Sequence, residues 1–151
     1  MPEITFDEER ADSIRHEIEP LLKENWSAVS VSYPTSRLKP DFDLYLLLAE
    51  QGAIRIFAAR SDGALVGYAV VLVNAHPHRV DDIVGTIDTV FVLPEFRAGG
   101  TAGKLFRLIE GRLKTDGVLS LTAVARDKHF ADWLRIAAGY EQVETVWERT
   151  L

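Results

Sequence analysis

A strand-like run and a helix-like run meet in one segment of the chain, Val92-Leu93-Pro94-Glu95-Phe96-Arg97-Ala98-Gly99-Gly100-Thr101-Ala102-Gly103-Lys104. The residues before it, Ile83 to Leu93, predict a strand that ends at Pro94. The apolar residues after it recur at the spacing of one helix face, and Gly117 marks the end of that helix. They are Leu105, Leu108, Ile109 and Leu113. The sequence therefore predicts a helix that starts directly after a strand.

The turn between this strand and this helix has the composition of a phosphate-binding site. The first turn of any helix has free backbone N–H groups and a partial positive charge. Three glycines between positions 99 and 103 let the backbone come close to a ligand, because no Cβ atom stands in the way. Arg97 and Lys104 add two cations. The turn is therefore predicted to hold a phosphate group.

Two common phosphate-binding motifs do not fit this turn. A Walker A loop needs a glycine five residues before its Gly-Lys pair and a serine or threonine after it. Ala98 and Leu105 stand at those positions, which sets a P-loop enzyme aside. The dinucleotide motif G-x-G-x-x-G also fails, because Leu105 occupies its third glycine position. A nucleotide phosphate binder of another kind stays open as a hypothesis.

The first half of the chain is predicted to be helical. Apolar residues at helical spacing predict a helix from about Asp7 to Trp26, which Pro20 should kink or split. A short β-branched run, Val29 to Tyr33, follows it. A second helix is expected after Pro40, with Gly52 as its end. Its inward residues are predicted to be Leu44, Leu47 and Leu48.

In the middle of the chain the spacing of the apolar residues changes from that of a helix to that of strands. Two predicted strands, Ile54–Ala59 and Leu65–Val73, are joined by the hairpin signal Ser61-Asp62-Gly63. The second is almost wholly apolar, so it is expected to be buried on both faces. A polar loop, Asn74 to Asp82, precedes the strand that leads into the glycine-rich turn.

After that turn and its helix, the sequence predicts a strand, a last helix and a final strand. They cover Val118–Ala125, Phe130–Ala137 and Tyr140–Thr150, with Gly139 between the last two. The three tryptophans, Trp26, Trp133 and Trp147, are expected to pack in the core. The whole order predicts one α/β domain over residues 1–151, with a mixed sheet and helices on both faces.

Composition narrows the classes of function. The chain has 151 residues and a hydrophobic share of 47%, which suit one domain with an apolar core. Its net charge of −6 disfavours nucleic-acid binding and suits a cationic partner. No stretch is long and apolar enough for a membrane helix, and the polar start does not resemble a signal peptide. The absence of cysteine excludes disulfides and thiolate metal sites, so the expected location is the cytoplasm.

The glycine-rich segment resembles motif A of the GCN5-related N-acetyltransferases, the GNAT family. The usual form of that motif is Val-x-Pro-x-(aromatic)-Arg-Gly-x-Gly-x-Gly/Ala, between a strand and a helix. The matching residues are Val92, Pro94, Phe96, Arg97, Gly100 and Ala102. Ala98 departs from the motif, because glycine is common at that position. The order of elements resembles the family over nearly the whole chain, with a mostly antiparallel sheet and one splayed strand pair.

A second segment, Ala131 to Tyr140, resembles motif B of the same family, Ala-x-x-Phe-Tyr-x-x-x-Gly-Phe. Arg135 stands where the family's tyrosine usually does. That tyrosine protonates the leaving thiolate, and an arginine cannot do so because it stays charged. Tyr140 is a candidate by proximity, although a core aromatic is the simpler interpretation. Three short segments, Pro40-Asp41, His76-Pro77-His78 and Glu144-Thr145-Val146, also resemble a subgroup often found in phages and prophages.

The resemblance implies acetyl-CoA as cofactor and a direct attack by a primary amine. Pantetheine would pair with the motif strand, the diphosphate would lie on the turn, and the N–H of Val92 would serve as the oxyanion donor. Asp88, four residues before Val92, is the candidate general base, ahead of Thr86 and Asp82. The implied cofactor-binding residues are Phe91, Val92, Leu93, Arg97, Ala98, Gly99, Gly100, Thr101, Ala102, Gly103 and Lys104.

Other polar residues are assigned lesser roles. His76 and His78, with two aspartates nearby, do not have a known metal-ligand spacing, so no metal is expected. Asp41, Asp43 and Tyr45 lie where the family's acceptor site tends to be, although acids in the first turn of a helix are ordinary. The acceptor is expected to be an amine on a small molecule or a protein, and the family resemblance allows a homodimer. An inactive CoA-binding module with the same fold is the alternative hypothesis.

Overall fold

The computed structural model describes residues 2–29, 38–147 and 149, and within them it shows a five-stranded sheet with helices on both faces. The elements are β1 (Ile4–Glu9), α1 (Ala11–Val29), α2 (Phe42–Glu50), β2 (Ile54–Ser61), β3 (Ala64–Ala75), β4 (Ile83–Val92), α3 (Thr101–Thr115), β5 (Ser120–Ala123) and α4 (Lys128–Ile136). A 3₁₀ turn over Pro94–Phe96 links β4 to the start of α3. The spatial order of the strands follows the chain, and only β4 and β5 run parallel. The predicted mixed, mostly antiparallel sheet is confirmed.

Two apolar cores lie on the two faces of the sheet. On one face, Ile14, Ile18 and Leu21 of α1 pack with α2 against the strands. On the other face, Leu105, Phe106, Ile109 and Leu113 of α3 pack with Leu134 of α4. Strand β3 is buried from Leu65 to Val71, as its apolar run predicts. Among the described residues, no helix is both long enough and apolar enough to cross a membrane.

The start of the chain differs from the prediction, because residues 4–9 form a strand and the helix begins only at Ala11. The predicted helix therefore starts too early, because its first residues, Asp7 to Glu9, lie in β1. In the structure two of them form ion pairs across the β1–β2 ladder, Glu8 with Arg55 and Glu9 with Arg60, each at 2.7 Å. Such pairs join residues that are about 50 positions apart, so a local pattern cannot show them.

The first helix also corrects two predictions. It runs through Pro20 as one element to Val29, so the chain is not split at the proline. The predicted strand Val29–Tyr33 therefore begins inside a helix, and its remainder lies outside the described residues.

Helix α2 packs against the core with a different face from the predicted one. Leu48 packs against the core together with Tyr45, Leu46 and Ala49, whereas Leu44 and Leu47 are about half exposed, at 47% and 51%. Because most positions of the segment Phe42–Glu50 are apolar, periodicity alone does not specify its buried face.

The predicted final strand is not formed over residues 140–147. Val143, Val146 and Trp147 are exposed, with Trp147 at 89%, so the prediction that Trp147 packs in the core was wrong. An alternating pattern specifies which residues would share a face, but it does not supply a neighbouring strand. Trp133 does pack as expected, 5.0 Å from the Phe106 ring centroid.

Candidate functional site

Strands β4 and β5 separate and leave a slot between them. The parallel ladder joins Val84–Ile87 to Ser120–Ala123 and ends there. Beyond it, Asp88–Val92 form one side of the slot, and Val124, Arg126 and Asp127 form the other. The slot has a volume of about 710 Å³. This is the splayed strand pair that the sequence resemblance implied.

A β-bulge at Asp88 turns the strand at the edge of the slot. Ile87 pairs with Val71 and Thr89 pairs with the adjacent Val70, so Asp88 is an extra residue in the ladder. The strict alternation that would put Asp88 on the same face as Val92 is therefore broken. Asp88 is exposed to the slot, and its Oδ2 accepts a hydrogen bond from Thr89 Oγ1 at 3.0 Å.

The Asp88 carboxylate shares the slot with a residue of α2. Tyr45 of α2 lines the same slot. Burial raises the pKa of Tyr45, and the negative charge of Asp88 raises it further. This electrostatic effect indicates that the two groups lie near each other, although they come from different elements.

The end of β4 presents the backbone of Val92 to the slot. The N–H of Leu93 donates to the C=O of Val66 at 2.9 Å, so Leu93 faces β3. Because N–H direction alternates along a strand, Phe91 also faces β3, and Val92 faces the opposite way. The C=O of Leu93 is occupied as well, since it accepts from the N–H of Phe96 at 2.9 Å. Of the three residues predicted to contact pantetheine, Val92 alone therefore directs its main-chain N–H away from β3 and toward the slot.

Arg97 links the glycine-rich turn to β4 by a hydrogen bond. Its Nε donates to the C=O of Val92 at 2.8 Å, and its guanidinium lies 5.7 Å from the centre of the Phe91 ring. The same side chain lines the slot. The cation predicted to neutralise phosphate is thus held at the boundary between the strand and the helix.

The start of α3 has the backbone shape that the glycines permit. Gly99 and Gly100 have φ of +83° and +76°, in the left-handed region that favours glycine. Gly100 is the N-cap of α3, and no side chain caps the helix there. Lys104 N–H donates to Gly100 C=O at 3.0 Å, so the unpaired helical donors are those of residues 101–103.

These donors fit an anionic group such as a diphosphate. A Cβ atom at Gly99 or Gly100 would meet no other atom within 4 Å, so space above the turn is open. Ala98, Gly99, Gly100 and Lys104 are exposed, and Ala102 lines the slot directly. Three N–H groups, the positive end of a helix and the cation of Arg97 therefore lie at one end of the slot, and Lys104 is exposed in the first turn of the same helix.

The buried Thr101 side chain stabilises the glycine-rich turn by a hydrogen bond, and a substitution of Thr101 tests that role. It is 2% exposed, and its Oγ1 donates to the C=O of Phe96 at 2.6 Å. We expect Thr101→Val to lower the free energy of unfolding by about 1–2 kcal/mol, because the buried carbonyl loses its donor while the volume stays the same. Chemical denaturation measures this. Thr115→Val is the control, because that hydroxyl is exposed; an equal loss in both variants would contradict the role of Thr101.

The wall of the slot opposite the turn was not predicted. It is formed by Leu22, Asn25, Trp26, Leu38, Lys39, Pro40 and Tyr45. Helical spacing assigned Trp26 to the core, and only Tyr45 was placed near an acceptor. A sequence pattern distinguishes inward from outward positions, but it does not distinguish a packed core from the lining of a slot.

Two residues of the motif B segment, Arg135 and Tyr140, do not line the slot, whereas Trp133 of the same segment does. Arg135 is exposed and its Nη2 lies 3.5 Å from Asp132 Oδ1. Tyr140 donates its hydroxyl to Glu110 Oε1 at 3.0 Å, while its ring packs against Phe106. Tyr140 is thus a packing residue, as the simpler interpretation predicted. His129 is exposed and also lines the slot, two residues after the α4 N-cap Asp127.

The other polar residues considered in the sequence analysis, such as His76, His78, Asp82 and Thr86, do not line the slot. His76 Nδ1 accepts from the N–H of His78 at 3.2 Å, within the loop after β3. Over residues 2–29, 38–147 and 149, no group of three or more possible metal-ligating side chains is found. Asp82 pairs with Arg79 at 3.3 Å, and the Thr86 hydroxyl lies 3.0 Å from that of Thr122. Asp82 and Thr86 are therefore poorer candidates for a base than Asp88.

A comparison with protein-family models finds a match to the acetyltransferase (GNAT) family over residues 15–132. The chain belongs to the GNAT family. This confirms the resemblance and the predicted enzyme class, an acyltransferase, and acetyl-CoA agrees with the acetyl transfer that defines the family. A search of curated proteins found no match.

Solved GNAT structures share the fold. A ribosomal-protein-alanine N-acetyltransferase from Brucella melitensis biovar Abortus 2308 has a TM-score of 0.76 at 22% identity, with 99% of each chain covered. An aminoglycoside acetyltransferase, HMB0005, from an uncultured soil metagenomic sample has a TM-score of 0.79 at 16% identity, with 99% of each covered. The aminoglycoside N-acetyltransferase AAC(6')-Iy, solved in complex with CoA, has a TM-score of 0.72 at 18% identity, covering 100% of this chain and 96% of its own.

Proposed function

We propose that this GNAT protein transfers the acetyl group of acetyl-CoA to a primary amine of a small molecule or a protein. The observation that carries the proposal is the slot between β4 and β5, which has an anion-binding helix start at one end and a carboxylate in its wall. Structural neighbours with CoA bound or with amine acceptors support the same cofactor and the same reaction class.

The residues of the turn bind and orient the cofactor. When bound, acetyl-CoA supplies an acetyl thioester. The N–H groups of residues 101–103 would hold its diphosphate, and Arg97 and Lys104 would neutralise the charge. The Val92 N–H, which faces the slot, would donate to the thioester carbonyl oxygen and stabilise the negative charge that develops there.

Asp88 prepares the acceptor. An amine attacks only in its neutral form, so a base has to take its proton directly or through a water. The β-bulge lies at Asp88, whose carboxylate lines the slot together with Tyr45. Helix α4 contributes no tyrosine acid, because Arg135 stands at that position and pairs with Asp132, so motif B would supply no proton to the CoA sulfur.

A panel of amines tests the proposal. We expect thiol release from acetyl-CoA in the presence of the correct primary amine, with a rate that depends on the concentrations of both substrates. The assay follows free CoA with a thiol reagent over small-molecule amines and peptide amines. Absence of release with every amine tested, in a protein that binds acetyl-CoA saturably, would contradict the proposed activity.

One observation favours a second function, a CoA-binding module without efficient catalysis. The arginine in place of the motif B tyrosine removes the expected acid. Saturable CoA binding without turnover would support this alternative. A nucleotide phosphate binder, the third hypothesis, would instead show a larger rise in Tm with ATP than with acetyl-CoA.

A further inference from the structure

Gly67 of β3 lies directly opposite Val92, the residue whose N–H faces the slot. A Cβ atom at position 67 would lie 3.0 Å from the carbonyl oxygen of Phe91 and 3.1 Å from Cγ2 of Val92. It would also lie 3.4 Å from Cα of Val92. Carbon atoms in contact are most stable about 3.5–4.0 Å apart. Glycine at position 67 therefore lets the end of β4 lie closer to β3 than a residue with a side chain would.

The oxygen that this Cβ atom would approach belongs to the peptide group that carries the Val92 N–H. The carbonyl of Phe91 and the N–H of Val92 form one planar unit, and none of the described peptide bonds is cis. In a trans peptide group the C=O and the N–H point in opposite directions. The Phe91 oxygen therefore points toward β3 and Gly67, whereas the N–H points toward the slot. A displacement of the oxygen would rotate the N–H with it.

The next peptide group is held on both sides. Its oxygen, on Val92, accepts from Arg97 Nε at 2.8 Å, and its N–H, on Leu93, donates to the C=O of Val66 at 2.9 Å. The side chains of Phe91 and Val92 are buried, and a close-packed interior transmits displacements instead of absorbing them. A side chain at position 67 is therefore expected to tilt the peptide group between Phe91 and Val92.

We propose that Gly67 is a positioning residue for acetyl transfer, because the absence of a Cβ atom there sets the direction of the Val92 N–H. Gly67 is not among the described residues that line the slot, so it acts through this peptide group. A donor of this kind is effective only where it is aimed at the position of the developing charge. This inference rests on the proposed acetyl transfer and adds a residue that orients its oxyanion donor.

Gly67→Ala tests the proposal by comparing turnover with binding. With an amine that the panel identifies as an acceptor, we expect kcat to fall about tenfold, less than the roughly 100-fold or greater loss that follows complete removal of an oxyanion donor. The Kd for CoA should stay within about twofold, because CoA has no acetyl carbonyl and its diphosphate would lie on the turn before α3. Steady-state kinetics and calorimetric titration measure the two quantities.

Gly85→Ala is the matched control, because it adds an equally crowded Cβ atom to β4 away from the slot. A Cβ atom there would lie 3.1 Å from Leu121 Cδ1 and 3.3 Å from Leu113 Cδ1. Both contacts are with the ends of side chains, and neither leucine lines the slot. This variant should therefore keep the kcat of the unmodified protein, even if it loses some stability.

The amide signal of Val92 gives a readout that does not depend on turnover. In isotope-labelled protein without an amine, acetyl-CoA should move the Val92 amide proton further downfield in the magnetic resonance spectrum than CoA does, because only acetyl-CoA offers the acetyl carbonyl as an acceptor. The difference between the two ligands should be smaller in Gly67→Ala and unchanged in Gly85→Ala.

A second background covers the case in which Gly67→Ala is too unstable to assay. Val92→Ala removes the Cγ2 contact but keeps the Phe91 carbonyl, so adding Gly67→Ala to it should still lower kcat about tenfold relative to Val92→Ala alone.

The outcomes separate this inference from the proposed function. Unchanged kcat in folded Gly67→Ala, or an equal loss in Gly85→Ala, overturns the positioning role and leaves the transferase activity established. Identical Val92 amide signals with CoA and acetyl-CoA overturn it as well. If the unmodified protein acetylates no amine of the panel, the proposed activity fails, and the role of Gly67 fails with it.

Discussion

Gly100→Glu is expected to abolish measurable acetyl-CoA binding, with Kd raised about 100-fold or more. Gly100 is the N-cap of α3 with φ of +76°, a conformation that costs a residue with a Cβ about 1–2 kcal/mol. The new carboxylate would lie beside the free N–H groups and repel a diphosphate there. A repulsion of a few kcal/mol is ordinary for like charges a few ångströms apart near a protein surface. Calorimetric titration with acetyl-CoA measures the loss.

Gly111→Glu is the matched control for this variant. Gly111 lies in the same helix and is exposed, and a Cβ there would meet no other atom within 4 Å. The substitution adds the same charge to α3 away from the turn, so the affinity for acetyl-CoA should change less than about twofold. Gly100→Ala separates the two causes, since it adds the backbone strain without the charge and should have an intermediate Kd. Tight binding by a folded Gly100→Glu protein would contradict the assignment of the turn.

The turn could be predicted from the sequence because its structure depends on neighbouring residues. Gly99 and Gly100 permit positive φ, and the apolar spacing from Leu105 to Leu113 specifies the helix that follows. The strand before it ends at a proline, within one residue of the predicted position. Each of these signals acts within a few positions, so no knowledge of the tertiary structure is needed.

The features that were missed depend on distant residues. The bulge at Asp88 arises from the register between β3 and β4, and an alternating pattern alone does not reveal it. Strand β1 is stabilised by ion pairs to Arg55 and Arg60, which the sequence places far away. Trp26 lines a slot that exists only because β4 and β5 separate. The position of the cofactor was therefore predictable, whereas the acceptor side was not.

Asp88→Asn is expected to lower kcat about 100-fold at neutral pH, the usual lower range for removing a general base. Asparagine keeps the size of the side chain but cannot take a proton from the amine. The anion-binding turn is at the other end of the slot, so the Kd for acetyl-CoA should stay within about twofold. Steady-state kinetics and calorimetric titration on the same preparation separate these two quantities.

Asp82→Asn is the control, because Asp82 pairs with Arg79 in the loop before β4 and does not line the slot. Its kcat should be close to that of the unmodified protein. The deficit of Asp88→Asn should shrink as the pH approaches about 10, where an alkyl amine is increasingly neutral without a base. A merely structural role for Asp88 would give a loss that does not depend on pH. Unchanged turnover of Asp88→Asn at neutral pH would remove Asp88 as the base, and the bulge would then only shape the strand.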